Sequence, residues 1–242
     1  MTRVQLFWTA YIGLGVLATI AELVIPARRL KYGKALPMDL VAFAVYQLAM
    51  VPAAYFVTDP IKGYIPVPSL LREIPWPIRF VAFYLLADMG SYWMHRLMHS
   101  KHLWRVHRWH HSPVYLYWLA GVRATIPQQI LFNLPFIVFL PLLAGAPLWA
   151  FVFMLIEGVW RNHWQHMNVT WRSNWLEYVI VTPRFHHIHH ASDAELHDTN
   201  FGSLFTMWDR LFGTYRSPDE HVPKKFGTGE PRRDPVLLMI GV

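Results

Sequence analysis

The sequence predicts an all-α integral membrane protein: a bundle of four to five transmembrane helices carrying a histidine-rich cap on the cytoplasmic face. Three observations predict it. Apolar residues make up 54% of the 242 and charged residues only 15%, against roughly 25% charged in ordinary soluble domains. The apolar residues fall in runs near the ~20 residues a helix needs to cross a bilayer. Twelve of the fourteen histidines lie between His95 and His190, most of them three or four apart, the spacing that puts side chains on one helical face.

The chain reads as one membrane domain over residues 1–242. The first apolar run is 6–25; it contains Glu22 and has neither a strong basic leader nor a small-residue cleavage site, so no cleavable signal is expected. The second is 38–57. The third, 76–93, runs directly into His95. Residues 126–160 are too long for one span, and their centre reads Leu-Ala-Gly-Ala-Pro, a turn signal. That predicts a hairpin of 126–142 and 148–160, its first arm made irregular by Pro127, Pro135 and Pro141. The cap then comprises 95–125 and 161–216. A polar tail, 217–242, rich in Pro, Gly and charge, is expected to be loosely ordered.

Loop charges give an orientation. Arg28, Arg29, Lys31 and Lys34 follow the first segment, and Arg96, Lys101, Arg105 and Arg108 follow the third. In the Thr58–Pro75 loop, Lys62 and Arg72 are offset by Asp59 and Glu73. Positive residues favour the cytoplasm, which puts every histidine cluster on one side, as a shared site requires. The net charge of +7 suits an anionic membrane surface or an acidic partner; with so apolar a chain, nucleic acid is not expected. Cysteine is absent, which excludes disulfides, thiolate zinc sites and iron–sulfur clusters on this chain.

The histidines form four groups: His95-x3-His99, His107-x2-His110-His111, His163-x2-His166 and His186-x2-His189-His190. Together they offer about ten nitrogen ligands, more than one ion uses, which suggests a two-metal site. Imidazole suits iron, zinc, copper and nickel alike. Arg96 occupies the place where a zinc protease carries its glutamate, so protease chemistry is not expected. His102, His197 and His221 read as surface residues. Asp88, Glu157, Asp193 and Asp198 are the acids near the clusters that could accept an imidazole N–H and so fix its aim. Asp88 could instead pair with Arg96 or another arginine, Asp193 and Asp198 could simply cap loops, and Asp209-Arg210 reads as a structural ion pair. Tryptophans around the clusters fit an interfacial belt.

Several motifs carry a resemblance. Asp88-x3-Tyr92-x2-His95-Arg96-x2-His99, His107-x2-His110-His111-Ser112 and Thr182-Pro183-Arg184-Phe185-His186-His187-Ile188-His189-His190 resemble the three histidine boxes of the fatty acid hydroxylase/sterol desaturase superfamily. His166-Met167-Asn168-Val169 is similar to its element between boxes two and three. Asn200-Phe201-Gly202 and Trp208 to Thr214 resemble its closing stretch. The resemblance covers Asp88 to Thr214 in the right order. It implies a membrane non-haem di-iron enzyme that uses O2 and two electrons to hydroxylate, or sometimes desaturate, a lipid C–H bond. By box it implies His95, His99, His107, His110, His111, His166, His186, His189 and His190 as ligands to two iron ions. His163, one helical turn before His166, is a tenth candidate; His187 falls at the variable place in the third box and is expected behind the site or at the surface. Zinc could replace iron in purified protein.

One element departs from the family: where many members carry an Arg-x-His-x-x-Glu-like run, this chain has Arg123-Ala124-Thr125-Ile126-Pro127-Gln128. That weakens transfer of substrate identity. No G-x-G-x-x-G fingerprint is present, so electrons are expected from a separate ferredoxin, cytochrome or reductase. A short chain without a fused cytochrome fits a bacterial inner-membrane enzyme. The alternative from another class is a non-redox zinc protein of the membrane; clustering of the histidines at helix ends, not deep within several spans, disfavours a transporter.

Overall fold

A computed structural model describes residues 3–50, 52, 56 and 68–229. Among the described residues the architecture is all-helical, with three isolated β-bridges as the only extended pairing. In chain order the helices are α1 (Arg3–Val24), α2 (Tyr32–Val45, followed by a π-turn at Tyr46–Met50), α3 (Trp76–Met98), α4 (Trp104–His107), α5 (Ile126–Phe139), α6 (Leu148–His166), α7 (Asn174–Val179), α8 (Pro183–His189) and α9 (Met207–Leu211).

Helices occupy several of the apolar runs, with shifted ends. α1 matches 6–25. The far end of the expected 38–57 segment, and residues 57–67 of the loop after it, lie outside the described residues. α3 carries its helix beyond 93 to include His95, and His99 closes it as the C-cap. The predicted hairpin is present: α5 tightens into a 3-10 turn at Leu140–Leu143, turns at Gly145 with φ +74°, and returns as α6. Residues Ile126–Leu143 form the one described helix long and apolar enough to cross a membrane, and Trp8–Val24 is a shorter apolar helix.

α3 packs antiparallel to α5, and the approach is close enough to dictate sequence. A Cβ on Gly90 would lie 2.6 Å from the Cβ of Pro135, so only glycine fits there. Phe83, Tyr84, Ala87 and Leu143 form the buried core of this face. α1 is fastened by one buried acid. The Glu22 carboxylate accepts from the backbone N–H of Trp118 (2.7 Å) and of Asn168 (2.9 Å) and from the Tyr32 hydroxyl (3.1 Å). On α2, Asp39 accepts from the Tyr117 hydroxyl at 2.7 Å and from Arg123 Nε at 2.5 Å.

The tail departs from expectation. Up to Gly229 it is strapped to the cap. Ser192 N–H donates to the Lys225 carbonyl, Lys224 N–H to Asp193, and the Ser192 hydroxyl to the Gly227 carbonyl, while Ala191 and Phe226 form a β-bridge. Arg28 donates to the Pro223 and Lys224 carbonyls. A polar composition reads as loose when its partners are remote in sequence, as these are. Residues 230–242 lie outside the described ones.

Candidate metal centre

Four helices aim the histidines. α3 delivers His95 and His99 from its last turn. α4 and the turn after it deliver His107, His110 and His111. Thr182 caps α8 by accepting the Phe185 N–H, with Pro183 at the first helical position, where a missing N–H costs nothing. Seven helical residues then bring His186, His189 and the C-cap His190 to one side. α6 supplies His166 from its end.

Nine imidazoles converge as two groups. One holds His95, His99, His107, His111 and His189; the other holds His110, His166, His186 and His190. Within each group the candidate ligand atoms lie within 4.8 Å of one another. The groups abut: the His111 and His190 rings stack with centroids 4.3 Å apart.

Protons in this cluster are placed from outside. Nδ1 of His95 meets the Phe201 carbonyl at 2.8 Å, His110 that of Arg123 at 3.1 Å, His166 that of Asn162 at 2.7 Å and His189 that of Thr199 at 2.9 Å. A carbonyl can only accept, so each of these Nδ1 atoms carries the hydrogen and each Nε2 keeps its lone pair. His99 Nδ1 meets the Asp198 carboxylate at 3.2 Å. The Nε2 atoms face one another: His95 and His107 at 3.0 Å, His99 and His111 at 3.2 Å, His190 with both His166 and His186 at 3.1 Å. His189 Nε2 is a buried acceptor with no donor. With the hydrogens of His95, His110, His166 and His189 held on Nδ1, their Nε2 lone pairs face the cluster, and the orphaned one on His189 is an acceptor that a cation would satisfy. Burial drives His107, His111, His186, His189 and His190 well below the ordinary imidazole value and His110 to about 4. They are neutral at pH 7, the ligating form. The donor set therefore fits two metal ions that accept nitrogen.

Other expected residues fall elsewhere. His163 stands apart from the nine. Its Nδ1–H donates to the Trp118 carbonyl at 2.8 Å and its Nε2 accepts from the Tyr11 hydroxyl at 2.6 Å. Both nitrogens have partners, so the structure places the expected tenth candidate outside both groups, between α6 and α1. Asp88 accepts from Leu204 N–H (2.7 Å), Phe205 N–H (2.9 Å) and Trp208 Nε1 (2.9 Å), with Arg161 at 3.8 Å. It anchors the closing stretch and holds no imidazole. Glu157 pairs with Arg161 at 3.2 Å and Asp193 accepts from the strap; neither touches a ligand ring. Of the four acids, only Asp198 does. Asp209 takes the Phe201 and Gly202 amides and the Thr214 hydroxyl, while Arg210 donates to Tyr178 and Thr206. The expected ion pair is therefore two separate braces. The first of them fixes the loop whose Phe201 carbonyl orients His95. His187 is buried against Phe226; His102 and His197 are exposed.

Sequence reasoning missed Gly121. A Cβ there would sit 2.6 Å from His166 Nδ1 and 2.9 Å from the Asn162 amide, so the 3-10 turn at Ala120–Val122 passes directly behind a candidate ligand. Its only sequence signal is a lone glycine. The departure at 123–128 is also explained. Arg123 presents its carbonyl to His110, and Thr125 caps α5, accepting from Gln128 N–H and donating to the Val106 carbonyl. A cavity of about 330 Å³ opens onto both groups, touching His99, His111, His189 and His190, with Trp104 and Asp198 at its wall.

The model of the family described as fatty acid hydroxylase matches residues 80–214, more than half of the chain and every one of the nine histidines. The chain belongs to the fatty acid hydroxylase family. Among relatives, it is 27% identical over 180 residues to an alkylglycerol monooxygenase of Homo sapiens, covering 72% of this chain and 40% of the relative. It is 33% identical over 146 residues to an ornithine lipid hydroxylase of Rhizobium tropici (59% and 44%). It is 25% identical over 181 residues to a sterol desaturase of Gibberella zeae (73% and 54%). The chain thus spans about half, or less, of the length of these relatives. No solved structure matches it.

Proposed function

We propose that this member of the fatty acid hydroxylase family is an integral membrane monooxygenase that hydroxylates a lipid C–H bond with O2 at two histidine-held irons. The observation that carries the reading is the five-plus-four arrangement of imidazoles, four of which turn their Nδ1 hydrogens outward onto backbone carbonyls. His95, His99, His107, His111 and His189 would hold one ion, and His110, His166, His186 and His190 the other. Bound there, the metals would supply O2 activation and one-electron chemistry.

The chain's own residues do the rest. Carbonyls of Phe201, Arg123, Asn162 and Thr199 keep four ligands in one tautomer and one aim, so no reorganisation is needed when the metals change charge. The Phe132 and Phe201 rings pack on His95 with centroids 5.3 and 5.6 Å away, making an apolar wall that keeps water from the reacting carbon. Asp198, on the cavity side, holds the His99 proton at Nδ1. Electrons come from a separate ferredoxin, cytochrome or reductase. The lipid reaches the site from the bilayer, in which four or five helices are embedded with the cap facing the cytoplasm, in a bacterial inner membrane.

Likeness to sterol desaturases over nearly three quarters of the chain supports a second outcome at the same site, removal of two hydrogens in place of oxygen insertion. The test is metal content and Mössbauer spectra of protein grown in iron-57, followed by mass analysis of membrane lipids. About two irons per chain and a product heavier by one oxygen are expected. Loss of two hydrogens would reassign the reaction to desaturation. Zinc alone, with no iron taken up on anaerobic reconstitution, would overturn the oxygenase reading.

A further inference from the structure

A second cavity, of about 360 Å³, is bounded by the strap and by the link after α1, with no histidine in its lining. Four cations line it: Arg28 and Arg29 from the link after α1, Lys224 and Lys225 from the strap, with no carboxylate among the lining residues. They come from opposite ends of the sequence, and folding pushes four like charges together. Arg28 is fixed in place. The Arg28 guanidinium donates to the Pro223 and Lys224 carbonyls and lies 4.5 Å over the Phe226 ring. Lys224 reaches Glu195 only at 3.7 Å, both side chains being exposed. Arg29 and Lys225 are exposed and no acid pairs with them among the described residues.

Position supplies the second observation. Arg28 follows Val24, the last residue of α1, by four residues, and α1 leaves Val16, Ile20, Leu23 and Val24 between 50% and 71% exposed. An uncovered apolar helix face thus runs to a concentrated positive cavity. A molecule with an anionic head and an acyl tail matches both features at once.

We propose that this cavity binds the phosphate of an anionic glycerophospholipid of the cytoplasmic leaflet, whose acyl chains lie along α1. The inference rests on the membrane reading of α1 given above. Phe226 joins the two sites: one face of its ring carries Arg28, its edge meets His187 at 5.6 Å, and its backbone bridges Ala191 beside His190. A lipid bound to the strap therefore also braces the third histidine box.

The test uses metal-loaded full-length protein in a neutral detergent at 150 mM salt, titrated with dioctanoyl-phosphatidylglycerol, dioctanoyl-phosphatidylcholine or inorganic phosphate and read by thermal melting and native mass spectrometry. Phosphatidylglycerol should give a saturable rise in melting temperature and a bound mass of one lipid, and phosphatidylcholine should give neither. In the Arg29→Gln/Lys225→Gln double variant the apparent affinity should fall about 25-fold, at about fivefold per charge removed near a membrane surface, with metal content unchanged. Equal response to both lipids, or an unchanged affinity in the double variant, would overturn the proposal. So would an inorganic phosphate shift matching that of the lipid, or a saturable response to an acidic ferredoxin in place of the lipid. Failure of the membrane reading itself shows separately, as release of the protein from membranes by alkaline carbonate.

Discussion

Gly121→Ala tests the architecture at its tightest point. The new Cβ would lie 2.6 Å from His166 Nδ1, about 0.8 Å inside ordinary contact, and 2.9 Å from both atoms of the Asn162 amide. Asn162 can swing its amide aside at the expense of its 2.9 Å bond to the Gly121 carbonyl. His166 cannot move freely. It is fully buried, its Nδ1 is bound to the Asn162 carbonyl at 2.7 Å, and its Nε2 lies 3.1 Å from that of His190. Displacement breaks the outer hydrogen bond of a ligand, a change worth about 10–100-fold in metal affinity and about 1–3 kcal/mol of stability when a buried donor loses its partner. The four-histidine group should therefore lose its ion while the five-histidine group keeps one. The assay is metal per chain after dialysis against graded chelator, with Gly158→Ala as control, since a Cβ there meets nothing closer than Arg161 Nη2 at 4.0 Å. Two ions held as tightly as in the parent by Gly121→Ala would refute the placement of the turn behind His166.

Other outcomes follow from the same geometry. His163→Ala should leave metal content intact and lower the melting temperature, since it cuts the α6–α1 tether; loss of one ion would restore His163 as a ligand. Asp88→Ala strands the Leu204 and Phe205 amides and the Trp208 indole, each about 1–3 kcal/mol when buried unpaired, so destabilisation of several kcal/mol is expected in denaturant melts, and a change under about 1 kcal/mol would contradict the anchoring role. His189→Ala should abolish product and empty the five-histidine group, whereas His197→Ala should retain both; metal analysis of the pair decides whether the boundary between ligand and cavity rim is drawn correctly.

Much of this centre was legible in the residue order. Helical spacing alone groups His95 with His99 and His186 with His190, because three and four residues bring side chains round to one face. The hairpin at Gly145 is likewise local, set by turn chemistry within a few residues. His163 shows where such reasoning stops. It shares its helix end with His166 at ligand spacing, yet its ring points at Tyr11, 152 residues away in sequence. No periodicity within α6 distinguishes the two.

The acids follow the same rule. Asp88 sits two turns before His95 and Glu157 lies on the helix that ends at His166, and both are claimed by other partners: Asp88 by backbone more than a hundred residues downstream, Glu157 by the arginine one turn on. The carbonyls that do orient the imidazoles, at Phe201, Arg123, Asn162 and Thr199, belong to backbone, and every residue has one. By itself the sequence marked out the apolar helices and grouped the histidines at helical spacing, since these depend on contacts within a turn or two of chain, and its resemblance to the family singled out the nine candidate ligands. Only the tertiary structure decided how the nine divide into five and four, which nitrogen of each ring faces inward, and that the polar tail is a strap. Those depend on pairings across the whole chain, where the energy lies in burying a donor against one particular acceptor.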